Sequence, residues 1–401
     1  KRAEFHEITR KAFLQALREP RNIDENLVEA QLVRRILDRW VGFELSQRLW
    51  RKFKDVHLSA GRVQTPVLGW VIERSKQARK RIPITKIKLS FGEFSFEEKL
   101  SPKEVEIKIL EEGLEVLSPP PPFSTEAMIR EANARLRFGV EKTMSIAQEL
   151  FEHGLITYHR TDSIRVSDVG LKVAKQYIDE RYKNLFKPRR WGEGGAHECI
   201  RPTRAIDAEE LKNMTFAGVY NLTKEHIALY NLIFTRFIAS QMKEAKVKKV
   251  RFKVLPFKEE KEAIAEIVEP GFISFSVTKA FVTEIKEGRF KVIEAKQYSK
   301  PKVSLFTQGS LVEEMKLRGL GRPSTYATIV QTLLNRGYVM ERKGYLVPTK
   351  KGIIIYNFLV KNFEKYVSES FTRELEEMME RVEKGEEDYQ RILKSCAKFI
   401  Y

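Results

Sequence analysis

The fold is decided by residues 103–139, which read KEVEIKILEEGLEVLSPPPPFSTEAMIREANARLRFG. Up to residue 117, apolar and polar side chains alternate with a period of two, which predicts a strand. Four consecutive prolines at 119–122 then form a stiff, extended linker. A helical period follows, from a candidate N-cap at Ser124 or Thr125 to a stop at Gly139. The chain therefore changes from sheet to helix here.

The flanking sequence repeats both patterns. Residues 1–80 have apolar side chains at helical spacing, whereas 84–100 and 246–304 alternate like strands. Since the two β segments bracket a helical region, we expect them to pair into one β-rich arch. Helix–helix–strand patterns near 124–160 and 311–349 indicate winged-helix-like units.

These patterns predict an α+β multidomain protein whose helical domains, with winged-helix-like units, are joined by the β-rich arch. The predicted parts are a helical base, the arch as hinge, and an inserted domain, at 1–75 with 306–401, at 76–123 with 238–305, and at 124–237.

Composition restricts the class of protein. The 401 residues include 73 Lys and Arg against 55 Asp and Glu, a net charge of +18 that favours a polyanionic partner, nucleic acid before membrane. A dense thermophile ion-pair surface explains many charges but not this excess. No apolar run approaches the roughly 18 residues of a membrane span, and the charged N-terminus does not look like a signal peptide. Two cysteines far apart, Cys199 and Cys396, favour a reducing cytoplasm.

One tyrosine lies in an unusual setting. Residues 154–163 read GLITYHRTDS, in which Tyr158 ends a predicted short strand and Arg160 follows two positions later. A free phenol is ionised to about one part in a thousand at pH 7, so a tyrosine nucleophile needs nearby cations or a proton acceptor. The arginine fork suits a phosphate oxygen. On this pair alone, a structural tyrosine and a nucleophile both stay open.

A second unusual stretch, residues 194–204, reads GGAHECIRPTR. Gly194 and Gly195 permit close approach of the backbone to a ligand. If 196–201 is helical, His197 and Arg201 share a face and could hold a phosphodiester. A surface turn with scattered charges is the alternative.

Two further stretches combine small residues with cationic or hydroxyl side chains. LSAGRVQTPVL at 58–68 contains Arg62 and Gln64. GLGRPSTYATI at 319–329 places Arg322, Ser324 and Thr325 at a predicted helix N-terminus opened by Pro323, where free backbone N–H groups favour a phosphate. Either stretch alone could be an ordinary capped helix.

Taken together and in this order, TYHRTDS, HECIRPT, SAGRVQTPVL and GRPSTYATIVQTLLNRGYV resemble the motifs of type IA DNA topoisomerases. RRILDRWVGFELS at 34–46 and PPPPFST at 119–125 are similar to the same family, so the resemblance spans nearly the whole chain. The variants of the motifs look most like the topoisomerase module of the reverse gyrases of thermophiles. That resemblance implies cleavage and rejoining of one DNA strand to allow strand passage, and positive supercoiling driven by ATP.

The resemblance also implies roles for individual residues. Tyr158 would be the nucleophile that forms a 5′-phosphotyrosine bond, Arg160 would stabilise the scissile phosphate, and His197 and Arg201 would contact the phosphate or adjoining backbone. The residues that match the strand-binding surface of the family are Arg62, Gln64, Arg322, Ser324 and Thr325. Single-stranded DNA is thus the expected partner, with a monomer as the expected state.

One part of the family pattern is missing. Type IA enzymes use a Toprim domain whose Asp-x-Asp motif handles Mg²⁺, and none of the eight aspartates here has another two positions away. No metal ligand is therefore predicted in this chain. The chain also starts without Met, in a helical pattern. We expect a fragment whose Mg²⁺ site and ATP-using helicase-like module lie in other domains of a longer cytoplasmic protein, and which relaxes DNA poorly alone.

Other functions compete with this hypothesis. Tyrosine recombinases and type IB enzymes place the nucleophile after their Arg and His residues, whereas Tyr158 precedes His197 and Arg201, so that class is rejected. A topoisomerase I or III that relaxes DNA without a helicase module stays open. So does a non-catalytic winged-helix DNA-binding protein, which explains the charge but not the setting of Tyr158.

Overall fold

A computed structural model describes residues 1–193, 197–275 and 282–400. Contacts divide the chain into two compact units, each assembled from separate segments. The helical unit comprises Lys1–Lys76, Thr125–Glu152 and Leu305–Tyr401, and the tyrosine unit comprises Gln77–Ser124 and His153–Ser304. The division into a helical base, a β-rich arch and an inserted domain, with bounds at 75, 123, 237 and 305, stays a prediction.

Helices and strands alternate along the chain in blocks, in the predicted order. The helices are α1 Arg10–Arg18, α2 Glu25–Phe53, α3 Gln64–Gln77, α4 Thr125–Leu136, α5 Val140–Glu152, α6 Asp168–Arg181, α7 Ala208–Phe216, α8 Lys224–Ser240, α9 Gln308–Leu317, α10 Tyr326–Asn335, α11 Lys350–Val367, α12 Glu369–Glu383 and α13 Tyr389–Ile400. The strands are β1 Arg81–Leu89, β2 Gly92–Phe96, β3 Glu104–Leu117, β4 Ala245–Leu255, β5 Glu260–Glu269, β6 Gly288–Lys291, β7 Glu294–Pro301, β8 Val339–Arg342 and β9 Tyr345–Pro348.

The helical unit is organised around α2. Asp24 caps this helix by accepting the N–H of Leu27, and Lys54 ends it in a left-handed conformation with φ of 56°. One buried face of α2, including Val33 and Leu37, packs against α12 and α13. This packing brings the second helix of the chain against its last two helices.

The predicted pairing of the two β segments is confirmed. In the tyrosine unit, β3 pairs antiparallel with both β4 and β6 in a sheet of order β5-β4-β3-β6, and β1 pairs with β2 and β7 in a second sheet. Buried side chains of both sheets form one cluster, with Phe96 stacked on Phe257 at 3.8 Å between ring centroids. The stretch 84–100 is a hairpin rather than one strand, because Gly92 begins a return strand.

Three local expectations differ from the structure. Residues 155–157 form no named strand, and only the bridge Ile156–Pro202 marks the pairing. The condition that 196–201 be helical is not met in its described part, because 197–203 runs extended beside Phe123 and Ile156. Helix α10 starts at Tyr326, after a turn at 323–325. Gly194 and Gly195 lie outside the described residues.

The winged-helix-like pattern near 311–349 corresponds to α9, α10 and a β8–β9 hairpin. Helices α4 and α5 pack on α9 and α10 within the helical unit, and in the part of the chain that is described no hairpin follows them directly. Within the described residues, no helix combines the length and the apolar character that crossing a membrane requires.

Candidate active site and strand-binding surface

Short-range hydrogen bonds shape the segment that follows Tyr158. Thr161 Oγ1 accepts the N–H of Ser163, and Ser163 Oγ accepts the N–H of Arg165. Hydroxyl residues two positions before the donated N–H favour such turns. Hydroxyl side chains therefore shape the part of this segment that follows the tyrosine.

The structure brings Tyr158 and His197 together. Their ring centroids are 5.8 Å apart, and the phenol ring is half-buried. His159, on the other side, is fully buried with its ring centroid 5.6 Å from that of Tyr158. Arg160 is exposed. The predicted trio of Tyr158, Arg160 and His197 thus consists of an accessible phenol, an adjacent imidazole and a cation on a neighbouring residue.

The charge state of His159 follows from its surroundings. Burial, and the positive charge of Arg160, lower the pKa of the His159 imidazole to about 4. The ring is therefore neutral at neutral pH, so that Arg160 supplies the fixed positive charge of this turn.

Arg201 occupies a different environment from that predicted. It is 1% exposed, and it donates from Nε to Glu198 Oε2 at 2.8 Å and from Nη2 to Glu198 Oε1 at 2.7 Å. Burial alone would raise the pKa of Glu198, but Arg201 and Ser167 hold it below its usual range. The guanidinium faces a protein carboxylate instead of the surface.

The second predicted set lies in the helical unit, where a buried carboxylate holds three arginines. Glu376 on α12, which is 4% exposed, accepts two hydrogen bonds from Arg34, from Nη1 at 3.1 Å and from Nη2 at 2.5 Å. Arg62 Nη2 and Arg322 Nη2 each lie 3.0 Å from a Glu376 oxygen. Burial alone would raise the pKa of Glu376, but the charges of Arg62 and Arg34 lower it.

Arg62 lies at the bottom of this cluster. It is 3% exposed, its Nε donates to Asp38 Oδ1 at 2.5 Å, and its backbone carbonyl accepts the Thr372 hydroxyl. Burial alone would lower the pKa of Arg62, but Asp38 and Glu376 raise it. Its Nη1 is buried and finds no acceptor among the described residues, and the same holds for Nε2 of the half-buried Gln64.

The loop before α3 is held from the other side by the winged-helix-like unit. The Tyr338 hydroxyl accepts the N–H of Ser59 and donates to its carbonyl, both at 2.9 Å. Arg336 donates to the carbonyl of His57 at 2.9 Å. The sequence SAGR is therefore fixed between α12 and the residues around β8.

A groove of about 240 Å³ opens beside the Glu376 cluster. Ser324 is exposed there, and Arg322 and Thr325 are half-buried. Thr325 Oγ1 accepts the N–H of Arg322 at 2.9 Å, which shapes the turn before α10. The residues of the groove that carry polar groups include Gln31, Arg34, Arg322, Ser324, Thr325, Glu376 and Glu380.

Sequence reasoning missed three residues of these sites. Arg34 lies inside the quoted stretch RRILDRWVGFELS. Its position on the helical face that packs against α12 is the one feature that could have indicated its role. Glu198 stands beside the predicted His197, but only the structure shows that its partner is Arg201. Glu376 is one of several glutamates on α12, and nothing in the sequence singles it out.

Among the described residues, no three His, Cys, Asp or Glu side chains come close enough to hold a metal ion. The described residues therefore provide no ready-made cluster of three such metal ligands.

Comparisons with known proteins all find DNA topoisomerases or reverse gyrases. A family model described as DNA topoisomerase matches residues 22–394. Reverse gyrase 1 of Aquifex aeolicus is 53% identical, in a match that covers 100% of this chain and 36% of that protein. Reverse gyrase of Pyrococcus furiosus is 48% identical, in a match that covers 98% of this chain and 34% of that protein. Full-length topoisomerase I from Thermotoga maritima is similar in structure, with a TM-score of 0.83 and 35% identity over 98% of this chain and 71% of that one. The chain thus spans about a third of the length of these reverse gyrases.

Proposed function

The chain belongs to the DNA topoisomerase family, in its type IA class, and on that premise we propose that it is the strand-cleaving module of a reverse gyrase. The observation that carries the proposal is the half-buried Tyr158 ring beside His197, followed by the exposed Arg160. The similarity to two reverse gyrases over nearly the whole chain supports the narrower assignment.

We propose that the reaction is a transesterification at Tyr158. The phenol oxygen attacks the phosphorus of a single-stranded DNA phosphodiester, the bond from phosphorus to the 3′ oxygen breaks, and the 5′ phosphate stays on the tyrosine. The phenol gives up its proton, and the 3′ oxygen receives one. The positive charge of Arg160 stabilises the negative charge that develops on the phosphate. His197, in ring contact with Tyr158, restricts the direction of the phenol.

The strand-binding surface is proposed to be the groove of the helical unit. Arg322, Ser324 and Thr325 line it and supply a cation and hydroxyl donors for the DNA backbone. Arg62 and Gln64 are proposed to support this groove from beneath, because Arg62 is buried and pairs with Glu376. The net charge of +18 supports attraction of the strand over longer distances.

Cofactors are proposed to act from other domains. In the family, Mg²⁺ assists cleavage and rejoining, and among the described residues no three potential metal ligands come together. ATP would be used by a helicase-like domain. The relatives are nearly three times as long as this chain, which supports additional domains in the full-length protein. We propose a monomer that acts on DNA in the cytoplasm, with base, arch and inserted domain as its moving parts.

The test of the nucleophile uses the full-length protein with single-stranded DNA and Mg²⁺. Tyr158→Phe should abolish a denaturant-stable covalent adduct while sparing noncovalent binding. Tyr182→Phe, which alters another half-buried tyrosine of the same unit, should leave adduct formation unchanged. An adduct formed by the Tyr158→Phe protein would refute the assignment.

A relaxing topoisomerase without a helicase module is the second candidate. It is favoured by the structural similarity to topoisomerase I from Thermotoga maritima. Supercoiling assays on the full-length protein separate the two, because only a reverse gyrase introduces positive supercoils when ATP is added. A purely DNA-binding protein would give no adduct in the preceding experiment.

A further inference from the structure

A buried ion pair lies beside the extended segment that leads to Tyr158. Glu198 is 6% and Arg201 1% exposed, and two parallel hydrogen bonds join them. Arg201 Nη1 also donates to the carbonyl of Pro202 at 3.0 Å. Each nitrogen of the guanidinium therefore has an acceptor inside the protein.

The backbone of Arg201 is tied to the residue before the tyrosine. The Thr157 N–H donates to the Arg201 carbonyl at 2.9 Å. Thr157 Oγ1 accepts the N–H of Arg201 at 3.0 Å and donates to the carbonyl of Cys199 at 2.7 Å. A shift of Arg201 would therefore be transmitted directly to Tyr158.

The other end of the pair is tied to the start of α6. Glu198 Oε2 accepts the N–H of Ser167 at 3.3 Å, and Ser167 is the N-cap of that helix. A Cβ atom on Gly170 would lie 2.9 Å from Cδ and Nε of Arg201, so the guanidinium stem packs directly on the helix backbone. Only glycine leaves room for the arginine there.

These contacts argue against a direct contact between Arg201 and a DNA phosphate. A phosphate would have to displace Glu198 from a buried site and leave its carboxylate without this partner, which is costly. Glu198 also follows directly after His197, whose ring lies beside Tyr158. The ion pair therefore fixes both sides of the site, the tyrosine segment and the histidine segment.

We propose that Glu198 and Arg201 are a positioning pair that holds His197 against Tyr158, and that Arg201 does not contact the DNA strand. This inference rests on the proposed function, because it assumes that Tyr158 is the nucleophile.

The experiment uses the full-length protein and compares Glu198→Gln and Arg201→Gln with Arg160→Gln. Both substitutions of the pair should slow covalent adduct formation at saturating single-stranded DNA by at least tenfold. The slope of log affinity against log salt should stay as in the wild type, because no phosphate contact is lost. Arg160→Gln, which removes an exposed cation, should reduce that slope by about 0.7.

Epistasis separates positioning from a loss of folding. In a His197→Ala background, Glu198→Gln should slow the adduct by less than it does in the wild type, because one of the two segments that the pair positions has already lost its side chain. An equal slowing in both backgrounds, or a slope reduced by Arg201→Gln as much as by Arg160→Gln, overturns the proposal. If Tyr158→Phe abolishes the adduct but the variants of the pair react normally, only the positioning role fails.

Gly170→Ala gives an independent variant if a substitution in the pair prevents folding. It pushes on the Arg201 side chain without changing any charge, and should slow the adduct with an unchanged salt slope. Gly113→Ala, whose added Cβ would have no atom within 4 Å, is the matched control. A normal adduct rate in folded Gly170→Ala protein contradicts the proposal.

Discussion

His159, directly after the proposed nucleophile, links the stability of the fold to pH. Its pKa is about 4 in the folded protein against 6.5 for an ordinary histidine. Between these values the unfolded chain binds more protons than the folded one, so the free energy of unfolding rises with pH. The contribution of the neutral His159 ring to the free energy of unfolding is complete above about pH 6.5. It decreases by roughly 3 kcal/mol as the pH falls towards 4.

His159→Met should remove this dependence. We expect the difference in unfolding free energy between pH 7 and pH 4 to shrink by about 3 kcal/mol in the variant, as measured by guanidinium denaturation at each pH. Substitution of His153, an exposed histidine of the same unit, is the control. Parallel pH profiles of wild type and His159→Met would show that the buried ring does not resist protonation.

Glu376 should be the most sensitive single carboxylate of the helical unit. Glu376→Gln leaves Arg34 and the buried Arg62 without their shared negative charge, and removal of one partner of a buried pair costs about 3–5 kcal/mol. Thermal and denaturant unfolding should both show the loss. Glu380→Gln, which removes the exposed carboxylate 3.4 Å from Arg322, should leave stability nearly unchanged.

Sequence and structure agree best for residues whose role depends on near neighbours. The hydrogen bonds of Thr161 and Ser163 after Tyr158, for example, involve only residues two positions apart. The environments of Arg62 and Arg201 could not be predicted, because their carboxylate partners are fixed by tertiary folding. Glu376, for example, lies 342 positions from Arg34. Arg62 and Arg201 both lie in glycine-containing motifs, and the structure pairs each of them with a buried glutamate.

At the scale of elements, the sheet of β5, β4, β3 and β6 carries ion pairs across neighbouring strands. Lys249 Nζ lies 2.8 Å from Glu262 and 3.0 Å from Glu115, so one ammonium joins three strands. Hydrogen bonds to Glu262 and Glu115 raise the pKa of Lys249. Exposed pairs are weak singly at 25 °C but gain in networks at high temperature, because the hydration of charges becomes less favourable.

Lys249→Met should therefore lower the melting temperature more than Lys243→Met, which alters an exposed lysine just outside the sheet. The difference should shrink in about 1 M salt, where the Debye length is near 3 Å. Differential scanning calorimetry at low and high salt measures it. An equal effect of both substitutions at low salt would contradict a contribution from the cross-strand pairs.

Periodicity was sufficient for the long elements. The helical spacing of α2 and the alternation in β3 and β4 each predict the observed element, and the bracketing of the helical region predicted that the β segments pair. Short segments were less predictable, because their conformation depends on the partner. Residues 197–203 run extended since Phe123 and Ile156 offer backbone groups on either side, a fact absent from the local sequence.

At the scale of the whole molecule, the 401 residues alone should bind DNA without relaxing it efficiently. The isolated chain should bind single-stranded DNA with an affinity that falls steeply with salt, since its net charge is +18. With Mg²⁺ it should relax supercoiled plasmid poorly or not at all, because no three potential metal ligands come together among the described residues. Gel assays with the isolated chain and the full-length protein test this, and robust relaxation by the isolated chain would refute it.

The two compact units are interleaved along the chain, and this has a consequence for inheritance. The helical unit uses three separate segments and the tyrosine unit two, so no contiguous stretch of coding sequence specifies either unit without part of the other. A recombination event with one crossover within residues 77–304, between distant homologues, would join mismatched parts of both units. The gene region should therefore pass between lineages as one block, with the two units diverging together.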